Sequence, residues 1–334
     1  MFYRRSTPRI RKRLILTVLT IILSIFSAIL SVSCNLTDHD LTGNAFGSYF
    51  SIEYTGENRD DELRSVIDLL DHNFDTVGNG DVAKINSAPV NSPVTVNEYT
   101  FAALTLAFEV AEASGEAFTP AAFPLTELWG FAPNNFTGTA TSVPSAERVS
   151  EVLNVVGIRH FSLDKANSTV TKLTDGAKLD PGGIGKGFAA ETVRNMLGDK
   201  AKVIDFGATF YISDPVKVSI QNPRGDDLIA SATVSHSSVA TSGDYQRYYI
   251  FDGVRYHHIM GINGYPSGYG AADPVISATV TSPNAAVSDA LSTAAMVLGN
   301  TVELETLLNK YNATAVLFTA SAHYYIGDTP FIIN

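Results

Sequence analysis

Apolar residues at Leu63, Val66, Ile67, Leu70 and Phe74 recur at helical spacing and predict a helix over 62–74. A second helix is expected over 97–114, with Asn97 as its cap and Gly115 as its stop. Further helices are expected over 145–156 (capped by Ser145), 188–197 (ended by Gly198), 288–298 (with Ser288 as cap) and 303–310. Alternation predicts a strand over 46–54. From Val203 onward the pattern turns mostly to β, with strands expected over 203–206, 210–212, 216–221, 228–234, 238–241, 248–251, 255–260, 275–281, 315–318 and 323–326. Residues 75–81 and 133–143 read as loops. The proline-interrupted segment 117–131 carries the single tryptophan, Trp129, which reads as a core anchor. Helices and strands mix without strict β–α–β alternation, so the expected fold class is α+β.

The first 33 residues have a different character. Arg4, Arg5, Arg9, Arg11, Lys12 and Arg13 form a basic start, and the next 20 residues, 14–33, carry no charge. Cys34, the only cysteine, follows. This is the anatomy of an export signal. The run is also long enough to cross a bilayer, which takes about 20 residues. A lipid anchor on Cys34, an uncleaved N-terminal membrane helix and a secreted form are the three outcomes it allows. With one cysteine there is no intrachain disulfide. The expected organisation is a leader over 1–33, a polar tether over 34–43 and one domain over 44–334. Without the leader, 17 basic residues face 34 acidic ones and the net charge moves from −11 to −17. Such an acidic body argues against nucleic-acid binding. An anionic ligand then needs a local site or a metal to overcome the global repulsion.

Asp180-Pro-Gly-Gly-Ile-Gly-Lys-Gly187 offers such a site. Four glycines in six positions let backbone N–H groups approach a ligand at the start of a helix, where the dipole favours an anion. Lys186 adds a cation and Asp180 an acceptor. The spacing is neither that of a P-loop nor G-x-G-x-x-G. Downstream, a hairpin signal at Asp252-Gly253 brings the segment around Ser242 and Asp244 towards His258. His257 and His258 are adjacent on a strand, so they point to opposite faces and do not make a joint zinc pair. In the helix near the C-terminus, Asp289 and Thr293 stand at i and i+4 on one face. A carboxylate and a hydroxyl so placed can hold a hard cation; magnesium uses few protein oxygens, completed by water and phosphate.

In order along the chain, five stretches resemble the ApbE family, the FAD:protein FMN transferases, many of which are exported lipoproteins. They are Phe46-Gly-Ser-Tyr-Phe-Ser-Ile, the tryptophan segment 118–131, Asp180-Pro-Gly-Gly-Ile-Gly-Lys-Gly, Ala240-Thr-Ser-Gly-Asp-Tyr and Asp289-Ala-Leu-Ser-Thr-Ala. The resemblance implies a mixed fold with antiparallel-rich sheets and flanking helices. It implies an enzyme that binds FAD with Mg²⁺ and moves FMN to a Thr or Ser hydroxyl of an acceptor protein, leaving AMP. By position, Asp289 and Thr293 would ligate the metal through side chains and Gly183 through its carbonyl. Phe46, Thr119, Asp180, Lys186 and Met260 would line the nucleotide, with Ser242 and Asp244 in the same group, and His258 would stand by the reacting phosphate. An FAD pyrophosphatase and a non-catalytic FAD-binding lipoprotein are the rival expectations. The chain departs from the family in four places. The loop after His258 is one residue shorter and lacks an aspartate, Gly207-Ala208 replaces a glycine pair, residues 75–78 lack an aromatic, and Thr119 stands where the family has an aspartate after Phe118.

Overall fold

The computed structural model describes residues 37–133 and 135–334; the leader, Cys34 and the membrane-anchor expectation lie outside them. Among the described residues no helix is long and apolar enough to cross a membrane.

Eight strands form one antiparallel sheet in the order β1–β2–β6–β7–β10–β13–β14–β15. Their ranges are β1 Asp38–Ala45, β2 Ser48–Thr55, β6 Ala201–Asp205, β7 Thr209–Ile212, β10 Ser237–Gly243, β13 Ser277–Ser282, β14 Thr314–Phe318 and β15 His323–Ile326. Three small antiparallel sheets surround it. One joins β3 (Pro93–Thr95), β4 (Phe161–Asp164) and β5 (Thr169–Lys172). Another joins β8 (Val216–Gln221), β9 (Leu228–Val234) and β16 (Ile332–Ile333). The third is the hairpin of β11 (Tyr248–Phe251) and β12 (Val254–His257). The helices are α1 Asp60–Phe74, α2 Asp81–Ser87, α3 Glu98–Ala113, α4 Phe123–Leu128, α5 Ala146–Leu153, α6 Gly185–Leu197, α7 Ala285–Leu298 and α8 Val302–Lys310. The α+β class holds.

The tether expectation is corrected for residues 38–43. They pair in register with 50–55 as the outer strand of the sheet. Only Leu41 and Ala45 of β1 are buried, so its sequence carries almost no apolar alternation. The strand expected over 46–54 starts two residues later. Phe46 takes a positive φ of 54° in the turn between β1 and β2. Its N–H donates to Asp71 Oδ1 at 2.7 Å, which holds that strained turn.

Helix α7 is buried around almost its whole circumference, against the sheet on one side and α6 on the other. Alanines dominate it, so neighbours approach its backbone closely. At the α6 crossing a Cβ on Gly187 would stand 2.3 Å from the Ala285 carbonyl oxygen and 2.6 Å from Asp289 Cβ. Only glycine fits there. The cap of α7 is Asn284, whose side chain accepts from the Val287 N–H at 3.0 Å, and not Ser288 as expected. Ser288 lies inside the helix, fully buried, with its hydroxyl 2.6 Å from Ser238 Oγ and 2.8 Å from Ser282 Oγ. A buried helix must satisfy its polar side chains internally, and β10 and β13 supply the partners.

Candidate functional site

A cavity of about 140 Å³ opens where the N-terminal turns of α6 and α7 meet β10 and the end of the β11–β12 hairpin. Thr119, Asp180, Gly183, Lys186, Ser242, His258, Met260, Asp289 and Thr293 all line it. Residues 174 positions apart in sequence, Thr119 and Thr293, therefore share one wall system. At Thr119, Ala122 and Met260 the cavity adjoins a groove of about 630 Å³, walled mainly by apolar side chains such as Leu125, Leu153 and Ile158.

The glycine turn is built by local hydrogen bonds. Asp180 Oδ1 accepts from the Gly182 N–H at 2.8 Å, closing a single 3₁₀ turn before α6. The Asp180 N–H donates to the Pro120 carbonyl at 2.7 Å and so ties this turn to the Thr119 segment. Burial pushes the Asp180 carboxyl up, against the pull of the Gly182 N–H and of the Arg247 and Lys186 charges. Thr119 donates to Glu116 Oε2 at 3.0 Å and accepts from the Ala121 N–H at 3.2 Å.

On the opposite wall Asp289 is 6% exposed. Its Oδ2 accepts from the Gly187 N–H at 2.9 Å and its Oδ1 from Thr209 Oγ1 at 3.1 Å. One turn on, Thr293 Oγ1 lies 3.4 Å from Ser242 Oγ, which in turn is 2.7 Å from Ser292 Oγ. Gly183 faces this group: a Cβ placed on it would stand 3.5 Å from Thr293 Oγ1. Among the described residues no three His, Cys, Asp or Glu side chains cluster as a metal site. The donors here are one carboxylate, hydroxyls and a facing glycine. That all-oxygen, low-charge set suits a hard cation that keeps waters and takes the rest of its shell from phosphate. It does not suit zinc, which prefers nitrogen and sulfur.

His258 sits at the cavity mouth. Its Nδ1 is 3.3 Å from the Arg247 carbonyl, a contact that places the proton on Nδ1 and leaves the Nε2 lone pair free. Burial, then the neighbouring Arg247 charge, pushes its value down from 6.5 to about 3, so the imidazole is neutral at neutral pH. His257 points the other way, as the strand alternation requires. It is 4% exposed, with Nε2 2.9 Å from the Ser267 carbonyl.

Two expected contacts lie elsewhere. Asp244 does not line the cavity: it is buried and engaged at both oxygens by Arg224, at 2.7 and 2.6 Å. This bidentate pair clamps the turn after β10 and leaves no carboxylate free for a nucleotide. Phe46 stands outside the cavity lining, packed on Phe74 and Phe206 at 6.2 and 6.0 Å between ring centres, near the start of α6. Conversely, Thr126, Gln246 and Arg247 line the cavity and were not anticipated. Arg247 directly precedes β11 in the turn that Asp244 clamps, so the Ser242–Asp244 motif already pointed near it. Trp129 is 3% exposed and donates from Nε1 to the Gly264 carbonyl at 2.8 Å. It thereby anchors the loop after Met260 as well as the core.

Fold and site together present a cavity between two helix starts, lined by the hydroxyls of Thr293 and Ser242, the Asp289 carboxylate and the Lys186 and Arg247 side chains. The ApbE family model matches residues 46–318, and the chain belongs to the ApbE family. Among similar curated proteins, the FAD:protein FMN transferase of Treponema pallidum is 31% identical over 243 residues, covering 65% of each chain. The FAD:protein FMN transferase of Klebsiella pneumoniae is 32% identical over 223 residues, covering 65% of this chain and 68% of its own length. Among solved structures, the ApbE protein of Thermotoga maritima superposes with a TM-score of 0.76 at 30% identity, covering 87% of this chain and 97% of that one. The flavin transferase ApbE of Vibrio cholerae gives a TM-score of 0.74 at 20% identity, covering 87% and 98%, and shares the fold.

Proposed function

We propose that this protein transfers FMN from FAD to a Thr or Ser hydroxyl of an acceptor protein, with Mg²⁺, and releases AMP. The observation that carries this reading is the convergence of Asp289, Thr293, Gly183, Lys186 and His258 on one cavity. Its relatives' names and the family membership agree with it. Asp289 and Thr293 through their side chains, and Gly183 through its carbonyl, would hold the cation. When bound, the ion neutralises diphosphate charge and the charge developing on the leaving phosphate. Lys186 and Arg247 add positive charge on the same wall, which an acidic chain needs locally to accept an anionic substrate.

At about 140 Å³ the cavity has room for a diphosphate but not for a whole dinucleotide, whose length would continue into the adjoining groove past Thr119 and Met260. In the transfer step the acceptor hydroxyl oxygen attacks the FMN phosphorus. The new O–P bond forms as the diphosphate P–O bond breaks, and the electron pair leaves with AMP. The hydroxyl proton passes to the free Nε2 of neutral His258. The leader and Cys34 would hold the domain at the outer face of a bacterial membrane, by a lipid or by the N-terminal helix. There the acceptor domain is the protein partner and nucleic acid is not.

The experiment is incubation of the full-length protein with FAD, Mg²⁺ and a flavin-acceptor domain. The expected products are AMP and an acceptor carrying the mass of covalent FMN. Free FMN without an adduct would instead make water the acceptor and the protein a pyrophosphatase. Unchanged FAD would rule out both activities.

A further inference from the structure

We infer that Thr209 is a positioning residue for the cation site: its hydroxyl fixes the Asp289 carboxylate in the orientation that presents the remaining oxygen lone pairs to a divalent ion. The inference rests on the metal reading proposed above. Asp289 has two anchors of different kinds. One is the Gly187 N–H on Oδ2, a backbone donor fixed by the α6–α7 crossing. The other is the Thr209 hydroxyl on Oδ1, at 3.1 Å. A carboxylate has about four lone-pair sites. With one site on each oxygen taken, the group cannot rotate, yet each oxygen keeps a site for a ligand.

Thr209 is well built for the task. It opens β7, is fully buried, and lies in register with Ala240 of β10. Its carbonyl accepts from the Phe206 N–H at 2.9 Å, and the carbonyl of Ala208 accepts from the Thr241 N–H at 2.9 Å. The strand that carries Ser242 into the cavity therefore also fixes Thr209. A β-branched side chain has few χ1 choices, so the hydroxyl has little freedom to leave the carboxylate. Groups that orient a metal ligand commonly govern affinity without touching the ion.

The test compares Thr209→Val, which keeps the branched shape and removes the hydroxyl, with Thr209→Ser, which restores it. Mn²⁺ is titrated into the full-length proteins with ADP present, and the free ion is read by its electron paramagnetic resonance signal. Expected is a 10- to 100-fold weaker Mn²⁺ affinity for Thr209→Val, and a change under about 3-fold for Thr209→Ser. A purely structural hydroxyl would lower the metal-free melting temperature and leave Mn²⁺ affinity unchanged, and that result overturns the inference. If Thr209→Val does not fold, Thr209→Ala is measured with the same expectation. Should the unaltered protein bind no Mn²⁺, the metal reading fails and this inference with it. Binding by the unaltered protein together with equal binding by Thr209→Val removes the inference alone.

Discussion

Asp289→Ala lowers divalent-dependent turnover by on the order of 10³-fold or more, because it removes the carboxylate that stands one turn from Thr293 in the cavity lining. The loss has two physical parts, and two substitutions separate them. Alanine deletes the metal-side oxygens and also strands two donors, the Gly187 N–H and the Thr209 hydroxyl, in a buried site. Each unsatisfied donor costs about 1–3 kcal/mol of stability. Asp289→Asn keeps the shape and one acceptor oxygen, so it loses less stability but still loses the charge. Turnover measured against Mg²⁺ concentration, with the melting temperature alongside, reads both. Asp289→Asn with unchanged metal dependence would mean that the cation, if any, is held elsewhere.

His258→Ala reduces kcat by about 10²- to 10⁴-fold while FAD affinity stays within about 3-fold, the pattern of a lost proton acceptor. The imidazole is partly buried at the mouth and its hydrogen-bond contact is to the Arg247 carbonyl, so its removal strands no charged partner. The pH dependence follows from the lowered value. With a folded value of about 3 against an ordinary 6.5, the free protein carries His258 neutral throughout about pH 5 to 8. The kcat/KM profile, which reports free-enzyme groups, then shows no limb from His258 in that range. The same shift makes folding favour the neutral ring. That contribution is whole above 6.5 and is lost as pH falls from 6.5 towards 3. Full activity in His258→Ala, or an acid limb near 6.5 that the substitution abolishes, contradicts this assignment.

Much of the fold was legible because half-buried elements carry their periodicity. Strands β8, β9, β11 and β15 fall at the bounds expected from alternation and turn residues alone. Asn97, Ser145 and Asn284 show how far capping chemistry reaches. The first two were identified as caps, whereas Asn284 lost to Ser288 because an alanine-rich, wholly buried helix gives no polar face to mark its start. Strand β1 was missed because an outer strand with two buried residues reads as polar chain. Helix α2 was missed because it is short and follows Gly78-Asn79-Gly80, which reads as loop.

The site divides the same way. Asp180, Lys186, Asp289 and Thr293 sit in stretches whose local chemistry is specific, and the cavity collects them. Asp244 looked like a ligand beside Ser242, but its partner Arg224 comes from the loop between β8 and β9, a long-range choice that adjacency cannot reveal. Thr209 carries no local signal: a threonine opening a strand acquires its meaning only when α7 brings Asp289 within 3.1 Å.

In the proposed reaction one cation, held at the start of α7 and opposite Gly183, grips the diphosphate of a flavin dinucleotide. A crystal soaked with FAD and Mn²⁺, with data collected at the manganese absorption edge, tests it directly. The account predicts an anomalous peak within coordination distance of Asp289, Thr293 and Gly183, with FAD diphosphate oxygens completing the shell. A manganese peak away from these residues, or FAD bound with its diphosphate outside the cavity, would contradict it.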